Sequence, residues 1–200
     1  YTIREYICNF IMSKLETNTI DNISGSSTLT IGDSNTSTIT LKSGATLTNF
    51  PDNTPAFEAN LSSNQTSVAD HTFTKIQFDQ ERFDTDNCYD NSTNYRFTPT
   101  TAGKYFVYSY FVGGAGGGNS DNKNTRLNIY KNGSSVRGIF NLMNTGYENE
   151  ADLTISAVVD MNGSSDYLEI FASINSVADS GSNNFQADNC SFGAYKLIGV

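Results

Sequence analysis

The sequence predicts an all-β protein: an antiparallel sandwich of ten strands, preceded by a short β-rich stalk. Asn, Ser and Thr are abundant, Tyr (11) and Phe (13) are plentiful, and charged residues make up only 16% of the chain. Such a composition suits short strands joined by polar turns. No segment shows the hydrophobic period of a helix, and the 200 residues accommodate one medium-sized domain with an appendage.

The net charge of −9 restricts the partners of this protein. An acidic surface repels phosphate backbones, so we expect no general binding to nucleic acid. No apolar run reaches the length that spans a bilayer, so we also expect no insertion into membranes.

The first eleven residues, YTIREYICNFI (1–11), are mildly apolar but are interrupted by Arg4, Glu5 and Asn9. They lack the basic start, the longer apolar core and the small-residue cleavage site of a signal peptide. We interpret them as a non-native leader, with Met12 as the natural start. A genuine N-terminal strand or helix is the alternative.

Residues 12–54 form a Thr-rich segment with a short internal repeat. The stretch STLTIGDSNT (27–36) aligns without gaps on STITLKSGAT (37–46). Each copy alternates Thr with aliphatic residues and then reaches a Gly-containing turn, which predicts a strand followed by a turn. About forty residues of this kind bury too little apolar surface to fold alone. They therefore predict a β-stalk built from three chains, with a flexible Thr/Ser linker as the alternative.

Residues 55–200 contain apolar segments separated by turn signals. We predict ten strands, at Ala56–Leu61, His71–Phe78, Arg82–Thr85, Tyr95–Thr98, Lys104–Val112, Thr125–Lys131, Ser135–Met143, Ala151–Asp160, Tyr167–Ile174 and Phe192–Ile198. This many short strands in one domain imply two packed antiparallel sheets.

Three passages of this domain resemble one known family. They are PAFEA (55–59), NYRFTP (94–99) followed by AGKYFV (102–107), and SFGAYKLI (191–198). They look like the jelly-roll head of complement component 1q and tumour-necrosis-factor-like proteins, and the resemblance covers residues 55–200. It implies a homotrimer whose heads recognise ligands, usually without catalysis.

The stalk of this protein differs from that of animal members of the family. No Gly-X-Y repeat occurs, so a collagen-like stalk is absent from the sequence. The Thr-rich segment is instead similar to stalks on structural proteins of tailed viruses, marine phages in particular.

The strand Lys104–Val112 gives a local argument for a trimer, because apolar side chains occupy both of its faces. Tyr105, Val107 and Phe111 share one face, and Phe106, Tyr108, Tyr110 and Val112 share the other. A two-layer sandwich needs one apolar face per sheet, so the second must be covered. We predict a trimer interface that includes Tyr105, Phe106, Tyr108 and Tyr110. Cover by a helix or loop of the same chain is the alternative, but no helix is available.

The ligand-binding end follows from counting strand directions. Alternating strands send the turns after residues 78, 98, 131 and 160 to the base, where the stalk enters. The connections 62–70, 86–94, 113–124, 144–150 and 175–191 then lie at the opposite tip. Since those connections are long and polar, we predict ligand-binding tip residues Tyr89, Asn119, Asp121, Tyr147, Asp179 and Asn183. The alternative is that long polar loops are merely tolerated there.

Carboxylates concentrated in residues 79–90 offer hard oxygen ligands. Asp84, Asp86 and Asp90 form a candidate calcium site, although the order of an EF-hand loop is missing. The alternative is a solvated acidic edge. We expect no other cofactor.

Cys88 and Cys190 both occur in Asp-Asn-Cys triplets, and strand counting assigns both to the tip. Two free thiols are expected in a reducing cytoplasm, and a disulfide between them is the alternative.

No catalytic motif is convincing. The run GGAGGG (113–118) follows a strand, but no Lys-Ser/Thr pair closes it and no helix follows, so it does not predict a phosphate-binding loop. His71 is the only imidazole, and no nucleophile or acid is placed beside it by a motif. We therefore expect that the protein is not an enzyme.

Together these features predict a trimeric structural and receptor-binding protein on the surface of a virion. A phage tail or capsid fibre is expected, binding a host glycan or surface protein through the tip and other virion proteins through the stalk. The alternative is a secreted bacterial or eukaryotic adhesin, lectin-like and extracellular, with the same head. The receptor itself has no transferable sequence motif.

Overall fold

The computed structural model describes residues 52–115, 122–143, 149–177 and 183–199, together with Ser43. The chain divides into two compact units, Tyr1–Thr48 and Asn49–Val200, and every described residue except Ser43 belongs to the second. The predicted leader, residues 1–11, and nearly all of the predicted stalk, residues 12–54, lie outside the described residues.

The described part of the chain contains thirteen strands and one short 3₁₀ turn. The strands are β1 (Ala56–Asn60), β2 (Gln65–Val68), β3 (Thr74–Lys75), β4 (Gln80–Asp84), β5 (Tyr89–Asp90), β6 (Arg96–Phe97), β7 (Gly103–Gly114), β8 (Asn122–Lys131), β9 (Ser134–Leu142), β10 (Glu150–Met161), β11 (Leu168–Ser176), β12 (Asn183–Phe185) and β13 (Ser191–Lys196). The turn is Ala187–Asn189.

These strands form two antiparallel sheets. In the first sheet β10 pairs with one edge of β7, and β13, β1 and β4 follow in order beyond the other edge. β12 pairs with the end of β7 and with β2. The second sheet has the order β9–β8–β11–β6–β5, with β3 also paired to β11. The predicted all-β antiparallel jelly-roll sandwich is confirmed.

The core between the sheets is dominated by aromatic rings. Phe57 lies at its centre, with ring centroids 4.6 Å from Tyr89, 4.5 Å from Phe97 and 4.8 Å from Phe192. All four side chains are buried. Because Phe57 and Phe192 come from the first sheet and Tyr89 and Phe97 from the second, this cluster joins the two layers.

Three short strands were not predicted from the sequence. β2, β5 and β12 have two to four residues each and consist largely of Gln, Ser, Thr, Asp and Asn. Such segments lack the apolar alternation by which strands are recognised. The predicted strand 71–78 is reduced to β3, and His71, its predicted first residue, has a left-handed backbone conformation with φ of 58°, which does not fit a strand.

The two ends of the sandwich are set by backbone hydrogen bonds. At the base, Lys196 N donates to Asn53 O and Leu197 N donates to Lys104 O. At the far end, Ala115 N donates to Asn149 O, so the strand ends that flank the predicted tip connections 113–124 and 144–150 meet there.

One predicted tip connection, 86–94, starts at the base instead. β4 begins opposite Asn60 and ends opposite Phe57, so it runs toward the base, where Thr85 N donates to Ala56 O. The turn after residue 78 is therefore not a base turn. Counting directions failed here because residues 71–78 do not form the continuous strand on which the count depended.

Candidate functional site

The outward side of the first sheet carries an apolar surface that we call the aromatic face. Its members are Phe83, Phe106, Tyr108, Tyr110, Val158 and Tyr195. Val158 and Tyr195 flank Phe106 on neighbouring strands, and the Phe106 and Tyr195 rings lie 5.5 Å apart. Val158 is 56% exposed and Phe83 is 47% exposed. This face is the candidate subunit interface.

Tyr108 is held flat on this face by a glycine and a carboxylate. Gly193 lies opposite Tyr108 on β13, and a Cβ at position 193 would approach the phenol ring to 2.4 Å. The Tyr108 hydroxyl donates to Glu58 Oε2 at 2.7 Å. Burial, followed by this hydrogen bond, raises the pKa of Tyr108, so the phenol stays protonated as a donor.

A polar rim borders the aromatic face along β1 and β4. Arg82 Nε donates to Asn60 Oδ1 at 2.9 Å and lies 3.4 Å from Glu58 Oε1. The sequence prediction missed Gly193 and Glu58 as interface-shaping residues. The available signal was the glycine inside the strand pattern SFGAYK, since strand glycines often mark a close approach.

A second apolar surface, the β9 strip, lies on the edge strand of the second sheet. Val136, Phe140 and Leu142 are 48%, 64% and 65% exposed, whereas Ile139 of the same strand turns inward against the core. β9 pairs with β8 along one edge, and no described strand pairs with its other edge.

The predicted interface residues divide between two environments. Phe106, Tyr108 and Tyr110 lie on the aromatic face, but Tyr105 is fully buried in the core of its own chain. Its hydroxyl donates to Thr101 O at 2.7 Å. Tyr105 as an interface residue is therefore a wrong prediction, because strand alternation turns it inward.

The two predicted tip residues that the structure describes, Tyr89 and Asn183, are both buried. Tyr89 is only 4% exposed, its ring packs on Phe57, and its hydroxyl donates to Phe78 O, so its ring is not available for stacking on a ligand. Asn183 is fully buried in β12. Both predictions are wrong for the same reason: these residues belong to short core strands, not to loops. Asn119, Asp121, Tyr147 and Asp179 lie outside the described residues.

Asp70 fastens two strand ends at the far end of the sandwich. Its Oδ1 accepts hydrogen bonds from Ser176 N at 2.8 Å, Ser176 Oγ at 2.9 Å and Asn183 Nδ2 at 3.0 Å. The carboxylate is nearly buried, and His71 Nε2 lies 3.5 Å from its Oδ2. Asp70 thus ties β11 to β12 across the two sheets.

Replacing Asp70 by alanine is expected to destabilise the head by about 2 kcal/mol, because buried donors on Ser176 and Asn183 lose their acceptor. Chemical denaturation at one protein concentration would measure the loss, and hydrogen exchange at the Ser176 amide would show where it occurs. Asp160→Ala is the control, since Asp160 is 76% exposed. Equal effects of the two variants would contradict this role of Asp70.

The candidate calcium ligands accept hydrogen bonds from neighbouring residues of the chain. Asp84 Oδ2 accepts from Tyr89 N at 2.7 Å, and Asp86 Oδ2 accepts from Thr85 Oγ1 at 3.1 Å. Asp90 accepts several bonds from its own turn. Among the residues that the structure describes, no three acidic, His or Cys side chains are grouped to hold a metal ion, so Asp84, Asp86 and Asp90 do not form the predicted cluster.

Cys88 and Cys190 are free thiols, both buried. Cys88 Sγ lies 3.5 Å from Asp86 O near the base, whereas Cys190 Sγ contacts the backbone of Val112 toward the far end. The alternative of a disulfide is therefore wrong, because it depended on placing residue 88 at the tip. Burial raises the pKa of the Cys190 thiol to about 11.

A polar cavity of about 460 Å³ opens on the flank where β4 approaches β5 and β6. It is lined by Glu81, Asn87, Cys88, Tyr89, Asp90, Asn91, Ser92, Asn94, Arg96 and Thr98.

Within the described ranges, no helix has the length and apolar character needed to cross a membrane.

The fold is similar to several solved structures. Murine APRIL at pH 5.0 is 9% identical, with a TM-score of 0.52, and the match covers 71% of this chain and 98% of that one. The globular domain of zebrafish complement 1qA is 15% identical, with a TM-score of 0.50 and coverage of 72% and 98%. Eiger TNF from S. frugiperda is 10% identical, with a TM-score of 0.50 and coverage of 72% and 93%.

The sequence itself matches no model of a known protein family and no curated protein. At identities this low, likeness to solved structures establishes the fold and nothing further. The described unit has the complement component 1q and tumour-necrosis-factor-like jelly-roll fold.

Proposed function

We propose that this chain is a non-enzymatic homotrimeric head that binds receptors at the surface of a virion, as part of a tail or capsid fibre. The observation that carries the assembly is the pair of apolar surfaces on one sandwich. In a monomer the aromatic face and the β9 strip would both stand in water. Exposed apolar patches of this kind mark interaction sites.

The two surfaces suit contact between copies of the same chain. They lie on different sheets, so packing the β9 strip of one copy on the aromatic face of the next uses two different patches. Such a contact is heterologous and closes into a ring when the rotation permits. Covering each large apolar side chain contributes about 1–2 kcal/mol, and several are covered per contact. The resemblance to complement component 1q-like heads favours a ring of three.

The site chemistry favours binding over catalysis. His71, the only imidazole in the sequence, is largely exposed beside Asp70. No hydroxyl or thiol of a described residue is hydrogen-bonded to it, so no nucleophile is activated there. Recognition in jelly-roll heads depends on surfaces that a rigid sandwich displays, and the acidic chain suits a soluble particle surface.

The virion assignment depends on the Thr-rich repeat of residues 27–46, which is similar to stalks of tailed-virus proteins. The alternative is a secreted bacterial or eukaryotic adhesin with the same head. The neighbouring genes discriminate between them. Tail and capsid genes would support the virion, whereas secretion machinery or an upstream signal sequence would support the adhesin.

The trimer is tested by placing charge on the aromatic face. We expect native mass spectrometry to show a trimer for the wild type and a monomer for the double variant Val158→Asp and Tyr195→Asp, because carboxylates cannot be buried unpaired. Both side chains point to solvent, so the circular dichroism spectrum should not change.

Ile198→Asp is the matched control, because Ile198 is 49% exposed but belongs to neither apolar surface. This variant should remain a trimer. A wild type that is only monomeric at micromolar concentration, or a double variant that still forms trimers, would refute the proposed interface.

A further inference from the structure

We propose that the polar cavity beside β4, β5 and β6 binds one neutral sugar unit of a glycan. The inference deepens the proposed receptor-binding role, on which it rests, by naming a ligand class and a site. Seven of the ten lining residues belong to the connection 86–94, which was predicted to lie at the tip, but the cavity that they form lies on a flank of the sandwich.

One wall of the cavity is a rigid turn organised by Asp90. This carboxylate accepts hydrogen bonds from Ser92 N at 3.1 Å, Thr93 N at 2.9 Å and Asn94 N at 3.1 Å, and from Asn94 Nδ2 at 2.6 Å. The bond from the Thr93 amide contributes most to holding the pKa of Asp90 below its usual range. Asp90 is therefore a fixed support and not a free ligand for a metal.

Four other lining residues have side-chain polar groups that are available to form hydrogen bonds with a ligand. The side chains of Glu81, Asn87, Asn91 and Arg96 make no hydrogen bond to any described residue, although each lines the cavity. The Arg96 guanidinium lies 4.5 Å from the ring centroid of Tyr167, which fixes its direction by a cation–π contact. One wall of the cavity is therefore held rigid by Asp90, and the other lining residues have polar groups that are free to form hydrogen bonds with a ligand.

These groups match the hydrogen-bonding pattern of a polyol. Each sugar hydroxyl donates and accepts, amides do the same, a carboxylate accepts, and a guanidinium donates. The lining carries two formal negative charges, on Glu81 and Asp90, and one positive charge, on Arg96, and this net charge of −1 disfavours a phosphate. Because hydrogen bonds from its own turn occupy the Asp90 carboxylate, the cavity suits a neutral ligand better than a metal ion. Burial, with repulsion from Asp84, raises the pKa of Glu81. The cavity volume lies within the usual range for small-molecule sites.

The backbone around the cavity is left-handed in two places. Asn87 has φ of 53° and Tyr95 has φ of 50°, both in the left-handed region. Asn adopts this conformation with little difficulty, but for a bulky residue such as Tyr it is an outlier of the type that clusters at functional sites. The Tyr95 conformation sets the separation of its two neighbours, Asn94 and Arg96, which both line the cavity.

Binding at one such site is expected to be weak. Tyr89 contributes to the lining but keeps its ring in the core, so the cavity offers no stacking platform from this residue. In a trimer three cavities engage a repeated glycan together, and avidity raises the apparent affinity by about 100-fold or more. Repeated surface polysaccharides are therefore the expected targets.

The test is saturation-transfer difference NMR on the full chain. The probes are methyl glycosides of neutral hexoses, methyl N-acetylhexosaminides and, as an anionic comparison, N-acetylneuraminic acid. We expect a signal for at least one neutral probe, and about a tenfold weaker apparent affinity in the double variant Glu81→Ala and Asn91→Ala. The control Asn124→Ala, on the second sheet away from the cavity, should bind like the wild type.

The outcomes separate this inference from the proposed function. No signal for any neutral probe, or equal binding by wild type and double variant, overturns the sugar site. If trimers still attach to host cells in that case, the receptor-binding role stands and another surface carries it. If the wild type is monomeric yet the double variant loses the sugar signal, the cavity is supported and the trimer is not.

Discussion

Replacing Phe57 by alanine is expected to lower the free energy of unfolding by about 4 kcal/mol, among the largest effects of any single side-chain truncation in this head. Phe57 is fully buried and contacts aromatic rings from both sheets, Tyr89 and Phe97 in one and Phe192 in the other. Its removal leaves a cavity where the layers meet. The stacked neighbours cannot close it without leaving their own rotamers.

Chemical denaturation at one fixed protein concentration measures this loss, because the stability of an oligomer depends on concentration. Phe83→Ala is a comparison of the same residue type in a different environment, since Phe83 is 47% exposed. We expect it to affect assembly more than the folding of one chain. Near-wild-type stability of Phe57→Ala would mean that the two sheets do not pack through this ring.

Much of the fold follows from periodicity. In β7 the alternation of large apolar side chains on both faces correctly predicted a strand with one face in the core and another apolar face turned outward. The pattern could not tell which face was which, because Tyr105 and Phe106 are equally apolar by type. Only pairing with β10 and β13 and packing on the second sheet assign Tyr105 to the core.

The errors arise where short polar segments pair through their backbones. Tyr89 lies in a two-residue strand between acidic and amide residues, a context that predicts a loop. The structure buries its ring, together with the preceding Cys88, while Asp90 on the other side stays partly exposed. Asn183 is similar, because it pairs with Val68 in a strand of three residues. A pattern rule needs several alternating residues, and these strands are too short to supply them.

The polar cavity could not be predicted from spacing along the chain. Glu81 comes from β4 in the first sheet, whereas Arg96 comes from β6 in the second. They meet because Asp84 of β4 accepts a hydrogen bond from Tyr89 N of β5 and so joins the two sheets at this flank. The composition of the acidic run predicted a metal site. In the structure, however, Asp84 and Asp90 accept hydrogen bonds from backbone amides, and the cavity beside them combines acidic, basic and amide side chains.

Gly163 occupies a base turn in which a side chain has no room. Its φ is +70°, and a Cβ there would lie 2.2 Å from Ala102 N and 2.6 Å from Thr101 C, both backbone atoms. The preceding Asn162 Oδ1 accepts hydrogen bonds at 3.0 Å from the amides of Ser164, Ser165 and Asp166, so the turn cannot move away freely. Position 163 therefore combines conformational strain with a collision.

Gly163→Ala is expected to destabilise the head by about 3 kcal/mol, of which about 1 kcal/mol is the strain of a left-handed backbone and the rest is displacement of neighbouring backbone. Gly133→Ala separates the two contributions. Gly133 has a similar φ of +76°, but its nearest neighbour would be Tyr167 Oη at 3.8 Å, so only the strain remains and about 1 kcal/mol is expected. Thermal and chemical unfolding of both variants at the same concentration give the comparison. Equal losses at the two glycines would show that the turn at residues 162–165 does not pack against residues 101–102, and that the base of the sandwich is looser than this structure requires.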